Sequence, residues 1–514
     1  MSSPRKLNPG HSKFLLRAKS SALALCACGF GLTQTAHAAT AQVNGEAAVV
    51  GEFISNTPPT GSELKGLRVP LGLRLEGRAS NSVSVFLDLR YNANNYPNVA
   101  FPLGNMEGTS EGLKATGNDV NHPFTRNGGR GEKRELLKVN QAYVEYMADV
   151  GRFQAGRIPR HWGLGVWLDD TWKPEGGSIS TSDAISYAVD FSTRLWATAY
   201  WEKISEGSLS SRSDDADALT GEILLSDDMT DGGATGVSRK LGIAFSKYDH
   251  SDSSTELKIL DIFGEFAFGR LGLGAELNWP TGKTSSFNFD SLGGESAVAN
   301  GPTYSRESQT VEGLNILVRA GYQLGGGAAP GDMTSKISQT EAARRRRPTS
   351  QVAGSQIINL LGGFSRGDAD AFANVKTKDS RITGVPMHPN VRPAFLMFNP
   401  LSQDIAGMPG TLVRNVVFGK AEYSYESPTF GMIAPAVVFA RLDQTNSKTT
   451  DGTASVGGNG NLGFEVDLTY SYRTMDGVRF SLDGGLWVPG GAWETSGVKP
   501  ETVYGLRATA ATYF

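Results

Sequence analysis

Seven arginines share a spacing that points to anion chemistry. Arg68, Arg74, Arg78 and Arg90 lie near the start of the chain, and Arg473, Arg479 and Arg507 near its end. Each stands at an alternate position of an extended stretch whose other row is largely apolar. A guanidinium is always charged and offers a planar fork of N–H donors that fits carboxylate and phosphate oxygens. Gathered along a water-filled space, such groups lower the electrostatic barrier for negative solutes. Glu76, Asp88, Glu465, Asp467 and Asp483 share the same rows. A second basic group, Arg344, Arg345, Arg346 and Arg347, follows a Gly-rich stretch.

Other chemistry is sparse. His122, His161, His250 and His388 fall in loops or at strand ends, without the His-x-x-x-His or Glu-x-x-His spacing of a metal site. Asp169 and Asp170 stand close to His161 but read as a solvated surface pair, so no metal ligand is assigned. The acidic groups Asp214, Asp215 and Asp217, and Asp227 with Asp228, suit either solubility or weak binding of a divalent cation. No nucleophile elbow set between a strand and a helix is present, and no phosphate-cradling loop. The expectation is a protein that is not an enzyme and needs no cofactor. A formal net charge of -3 argues against a nucleic-acid partner.

The elements that must position these arginines are strands. In 67–79, Leu67, Val69, Leu71, Leu73 and Leu75 oppose Arg68, Arg74, Glu76 and Arg78. In 462–473, Phe464, Val466, Leu468, Tyr470 and Tyr472 oppose Glu465, Asp467, Thr469 and Arg473. The last strand runs to Phe514, with Tyr504, Leu506, Ala508, Ala510 and Thr512 on one face and Arg507 and Thr509 on the other. One apolar row, one polar row and aromatics at the ends describe a transmembrane β-strand. An end on Phe514 also resembles the closing strand that the outer-membrane barrel-assembly machinery reads.

Two-residue alternation predicts strands at 41–55, 67–79, 82–92, 136–148, 150–159, 183–191, 193–204, 216–225, 238–249, 256–268, 270–280, 309–323, 354–365, 412–426, 430–443, 462–473, 477–488 and 501–514. The fold class is therefore all-β, a transmembrane antiparallel β-barrel of eighteen strands, with sixteen as the alternative. Links alternate in length as barrels with short periplasmic turns and long outer loops require. Closure would bring the first and last strands together, so the seven arginines would form one basic wall.

The N-terminal residues 1–38 read as a cleaved secretory signal, with a basic start, a short apolar stretch and Ala36-His-Ala38 before the cut. Cys26 and Cys28 lie inside it; a lipoprotein signal is the lesser reading. Residues 39–514 form one barrel domain in the cell outer membrane, facing lipid and lipopolysaccharide. No apolar run reaches the ~18 residues of a membrane-spanning helix. The thirty-residue link 324–353 falls on the periplasmic side by parity. Its Arg344–Arg347 run could fold into the lumen as a plug, remain a solvated charge run, or lie outside if a strand has been miscounted.

Trp201-Glu-Lys-Ile-Ser-Glu-Gly207 with Asp214-Asp-Ala-Asp217, the stretch Gly269–Gly282, and Leu462–Leu468 with Leu486–Trp493 resemble the alginate-export-type family of outer-membrane channels. Gln154–Gly163 is similar to a stretch shared more widely among porins. The resemblance implies an eighteen-stranded barrel with an Arg-rich lumen and pore-closing loops. Its members pass anionic polysaccharide or other solutes. The long 93–135 link and the tetra-arginine turn depart from that pattern. Two functions follow as expectations. One is a porin-like channel for polar or anionic solutes, saccharides among them. The other is a non-conducting barrel that acts as adhesin, surface lectin or structural protein through its outer loops.

Overall fold

The computed structural model describes residues 40–57, 62–91, 137–171, 180–205, 216–226, 237–250, 255–284, 309–325, 354–367, 381–388, 390–398, 413–427, 429–445, 459–474, 477–494 and 498–514. The signal 1–38, the long link 93–135, His122, Asp214, Asp215, Asp227, Asp228 and Arg344–Arg347 lie outside the described residues.

The chain is a closed antiparallel barrel of 18 strands. In order these are β1 (Thr40–Thr57), β2 (Ser62–Arg68 and Leu71–Arg78), β3 (Val83–Tyr91), β4 (Leu137–Ala148), β5 (Gly151–Pro159) and β6 (Thr181–Asp190). Then come β7 (Leu195–Ser205), β8 (Ala216–Ser226), β9 (Val237–His250), β10 (Thr255–Phe268), β11 (Leu271–Thr284) and β12 (Gln309–Glu312 and Asn315–Gly325). The circuit ends with β13 (Ser355–Ser365), β14 (Val416–Ser427), β15 (Gly431–Leu442), β16 (Asn461–Arg473), β17 (Arg479–Pro489) and β18 (Val503–Tyr513). β18 closes on β1 in register from Glu46↔Tyr513 to Ile54↔Gly505, which leaves no free edge.

Alternation decides which row faces out. On β18, Tyr504 and Leu506 are about half exposed while Val503 and Thr509 are buried. Val466 and Leu468 on β16, Val437 and Phe439 on β15, and Ile243 and Phe245 on β9 continue an exposed apolar belt around the barrel. In water such a belt would be an aggregation surface; it is satisfied by lipid. No described helix is long and apolar enough to cross a membrane.

Most links sort by end as their lengths foretold; the exceptions are 326–354, which joins two strands at the short-turn end, and the brief links 58–61 and 251–254 at the opposite end. At one end lie tight connections such as 79–82, 149–150, 191–194, 269–270 and 474–478. This end faces the periplasm in barrels of this kind. At the other end lie 92–136, 160–180, 285–308, 366–415 and 443–460. Two of these long links do not stay outside. Residues 160–171 and 381–398 turn back into the barrel, and their buried side chains join two apolar clusters with the strand walls.

Candidate functional site

The lumen is organised by carboxylates that point inward from the strands. Backbone leaving a sheet and entering a confined space carries N–H groups that must find acceptors. On β10 and β11, Asp261 and Glu276 meet the first infolded segment. Trp162 Nε1 donates to Asp261 at 2.9 Å, Val166 N donates to Glu276 at 3.1 Å, and Leu164 N donates to the same carboxylate. Gly163 and Gly165 take φ of +56° and +84°, and a Cβ at Gly163 would stand 2.5 Å from Glu276 Oε2. The Trp-Gly-Leu-Gly-Val sequence therefore lets the chain reverse tightly against the wall.

On β16, Glu465 and Asp467 hold the second segment in the same way. Leu396 N and Met397 N donate to the two oxygens of Glu465, the latter at 2.7 Å, and Phe395 N donates to Asp467 at 3.2 Å. Leu396 then lies against Gly485 and Gly505, where a Cβ would come within 3.1 Å and 2.5 Å of its methyl groups. Upstream, Arg381–Ile382 pairs in parallel with Gln309–Glu312 of β12, which pins the start of the segment to the wall. Met387, Met397, Phe398, Trp487 and Trp493 form one buried apolar cluster across this side of the lumen.

The two segments also hold each other. His388 N donates to Val166 O at 2.8 Å, and Asn390 Nδ2 donates to Asp169 Oδ2 and Thr171 O, each at 3.0 Å. The Asn390 backbone N–H donates to His388 Nδ1 at 3.2 Å, so the ring proton sits on Nε2 and is donated to Ser180 Oγ at 3.0 Å. The imidazole is thus a donor to Ser180 rather than a base for it, and Ser180 is buried; this Ser–His pair is a staple, not a nucleophile. Burial pushes His388 down to about 4, against the charge of Asp169. His161 Nδ1 lies 3.3 Å from Asp169 Oδ1 and 3.5 Å from Asp170 Oδ1. Burial lowers His161, but its bond to Asp169 and the two negative charges outweigh this and hold it above the ordinary value. The same contacts hold the Asp169 carboxyl far below the usual range, although burial works against them.

The arginines predicted for the wall are found at different heights. Arg74 lies 3.4 Å from Asp88, and buried Arg90 reaches Asp88 at 2.7 Å and Glu46 at 3.3 Å. Arg507 pairs with Asp483 at 3.0 Å, lies 4.0 Å from Glu52, and stacks over the Phe395 ring of the second segment. At mid-height these cations therefore stand within a lattice of opposite charges. Nearer the short-turn end, Arg473 faces Arg479 across the β16–β17 pair. Arg473 is exposed, and Arg78, 67% exposed, lies 3.6 Å from Glu76. Arg68 is on β2, paired in register with Val50.

Sequence reasoning did not find Asp261, Glu276 or the buried cation Arg160. Arg160 reaches Glu202 at 2.5 Å and Glu222 at 2.8 Å and stacks on Tyr200. It also placed Asp169 and Asp170 in a solvated surface loop. Asp169 is instead largely enclosed, because 160–171 runs inward and Asn390 covers it. A signal was available in β10: the buried row contains Leu257, Ile259, Phe263 and Ala267, and the outward row contains Ile262 and Phe268. A barrel strand apolar on both faces must be covered on the inside by more protein.

No family model matches the chain, and no curated protein matches it. Solved structures align over most of its length at low identity. An anion-selective porin from Comamonas acidovorans is 11% identical, covering 93% of this chain and 100% of its own, with a TM-score of 0.40. Pseudomonas aeruginosa OccK2 (OpdF), solved in complex with glucuronate, is 10% identical over 92% of this chain and 96% of its own, with a TM-score of 0.45. Acinetobacter baumannii OccAB1 is 8% identical with the same two coverages, 92% and 96%, and a TM-score of 0.46.

Two outcomes follow from the seating contacts. Glu465→Gln replaces one of the two acceptor oxygens with an N–H donor and leaves one buried backbone N–H of the second segment unpaired, a loss of about 1–3 kcal/mol for seating it. Planar-bilayer recordings should show more frequent or larger open levels, with the barrel's melting temperature little changed. The second outcome concerns pH. His388 is neutral when seated, whereas a released segment would carry an ordinary histidine near 6.5. Between pH 6.5 and about 4 the released His388 binds more protons, so its contribution to seating is lost on acidification, while burial of Asp170 raises that carboxyl and contributes in the opposite sense. Asp169, already far below its usual value, stays ionised across that window, and His161 acts above it. Hydrogen-exchange protection in 381–398, taken relative to the intrinsic exchange rate at each pH, should fall from pH 6.5 to 4.5, and His388→Gln should make that protection less dependent on pH.

Proposed function

We propose that this protein is an outer-membrane channel for passive diffusion of small polar or anionic solutes, through a bore narrowed at mid-height by the two infolded segments. The observation that carries this reading is a closed barrel whose lumen keeps charged, partly exposed side chains below a packed constriction. Arg78, Arg152, Arg473 and Arg479 stand towards the short-turn end of neighbouring parts of the wall, with Glu76 and Glu145 beside the first two. Buried ion pairs at mid-height keep the constriction polar on its Arg507 side and apolar on its Met397–Phe398 side. A solute there exchanges water for fixed charges of both signs, and the excess of guanidinium groups at the mouth favours an anion.

The finer reading, an anionic saccharide, draws on the resemblance to alginate-export-type channels. A sugar acid offers both a carboxylate for arginine and hydroxyls for the Asp and Glu of the same wall. The packed clusters across the lumen favour a small solute over a polymer. They also support a second reading, a barrel that does not conduct and acts through its outer loops.

Purified, folded protein in a planar bilayer separates these. Discrete conductance steps and a reversal potential set by the anion in a salt gradient are expected, with current reduced by added glucuronate. Absence of steps both in the natural chain and in Glu465→Gln would leave the non-conducting reading.

A further inference from the structure

The cluster where the two infolded segments meet has the composition and spacing of a metal site. His161, Asp169 and Asp170 each present one ligand atom, and these atoms all lie within 4.8 Å of one another. Two of the separations are 3.3 Å and 3.5 Å, both measured from His161 Nδ1. Bonds of about 2.0–2.2 Å arranged tetrahedrally place neighbouring ligand atoms roughly 3.3–3.6 Å apart. The two separations from His161 therefore match the edges of such a shell, and the third, between the two carboxylates, lies within 4.8 Å.

The surroundings fit as well. Asp170 Oδ1 is a buried oxygen with no hydrogen-bond donor among the described residues, and it faces the imidazole. Asp169 is oriented by the Thr171 amide at 2.8 Å and by Asn390 Nδ2 at 3.0 Å, the outer contacts that hold a ligating carboxylate in place. The His161 and Asp170 side chains are 26% and 27% exposed, so an ion and its remaining waters have a route in. Arg74 acts on Asp170 and Lys240 on His161, both opposing a cation, but at His161 the two carboxylates outweigh Lys240.

We propose that His161, Asp169 and Asp170 bind one divalent transition-metal ion, with zinc the best match, and that the ion clamps the junction of the two infolded segments. One imidazole nitrogen and two carboxylate oxygens suit zinc, cobalt or manganese. Calcium, which takes 6–8 oxygen ligands, and magnesium, which keeps octahedral oxygen coordination, are disfavoured. Asp169 belongs to the first segment and also accepts from Asn390 of the second, so fixing its carboxylate fixes both. A protonated His161 bridging two carboxylates accounts for the same distances without an ion, and metal binding distinguishes the two.

The test uses the full barrel without a histidine tag, refolded, stripped with chelator and titrated with cobalt(II). Visible absorption bands of a nitrogen- and oxygen-ligated ion should saturate at one equivalent, and zinc but not calcium should abolish them. Asp170→Asn and His161→Gln should each weaken binding by about 100-fold, the upper end of what even outer contacts cost. Asp249→Asn, a surface acid on β9, should change nothing. Folding of each variant is read independently from its heat-modifiable gel mobility. Absence of a saturable cobalt spectrum in the folded natural chain overturns the proposal, whatever the variants do. Equal affinity in folded Asp170→Asn and His161→Gln also overturns it.

Discussion

Backbone that enters a barrel lumen must bring its hydrogen bonds with it or find them there, and the rest of this structure depends on how that demand is met. An amide left without an acceptor in such a space costs about 1–3 kcal/mol. The barrel meets the demand with carboxylates on inward rows: Asp261 and Glu276 on one wall, Glu465 and Asp467 on the other. Glu465 and Asp467 are two residues apart on one strand, and Asp261 and Glu276 lie diagonally across adjacent strands (Asp261↔Asn278, Phe263↔Glu276), so each pair can reach successive groups of a segment passing over it. Without the strands' alternation the carboxylates would face lipid; without the carboxylates the segments would have no reason to leave the solvent.

The same arrangement explains the glycines and aromatics around it. Gly485 and Gly505 leave room for Leu396 directly over the sheet. Trp162 packs edge-on against Phe263 with centroids 5.1 Å apart while its N–H reaches Asp261. Apolar contact and polar seating thus act at the same positions. The segments are held by packing and by acceptors together, and each other by the His388–Ser180 and Asn390–Asp169 contacts. A lumen built this way has a constriction with its own local stability, separable from that of the barrel.

The barrel was legible because period-two alternation is a local property that lipid on one side and water on the other impose on every strand. Strands predicted at 354–365 and 462–473 are found at Ser355–Ser365 and Asn461–Arg473. The stretch predicted as one strand at 309–323 is broken at Gly313-Leu314, where a Cβ on Gly313 would strike Pro280 and Val385 of the infolded chain. The strand predicted from 412 begins at Val416, because Asn415 takes φ of +51° and bonds to Gln444. Both departures come from tertiary contacts. The infolded segments were not legible for the same reason. Nothing near Trp162 or Phe398 in the sequence states that Glu276 or Glu465, more than sixty residues away, lies opposite. The inward rows of Arg74, Arg90 and Arg507 were read from alternation, whereas their partners Asp88, Glu46 and Asp483 depend on cross-strand register and closure.

Seating of the second segment against β17 and β18 is most directly tested by a disulfide in intact membranes. A Cβ at residue 505 would stand 2.5 Å from Leu396 Cδ2, which puts the two positions within reach of a bridge. The only cysteines in the chain, Cys26 and Cys28, lie outside the described barrel. Leu396→Cys combined with Gly505→Cys should cross-link rapidly under mild oxidation, while Leu396→Cys with Ala508→Cys on the lipid face should not. Equal, slow cross-linking of both pairs would contradict a segment anchored inside the lumen.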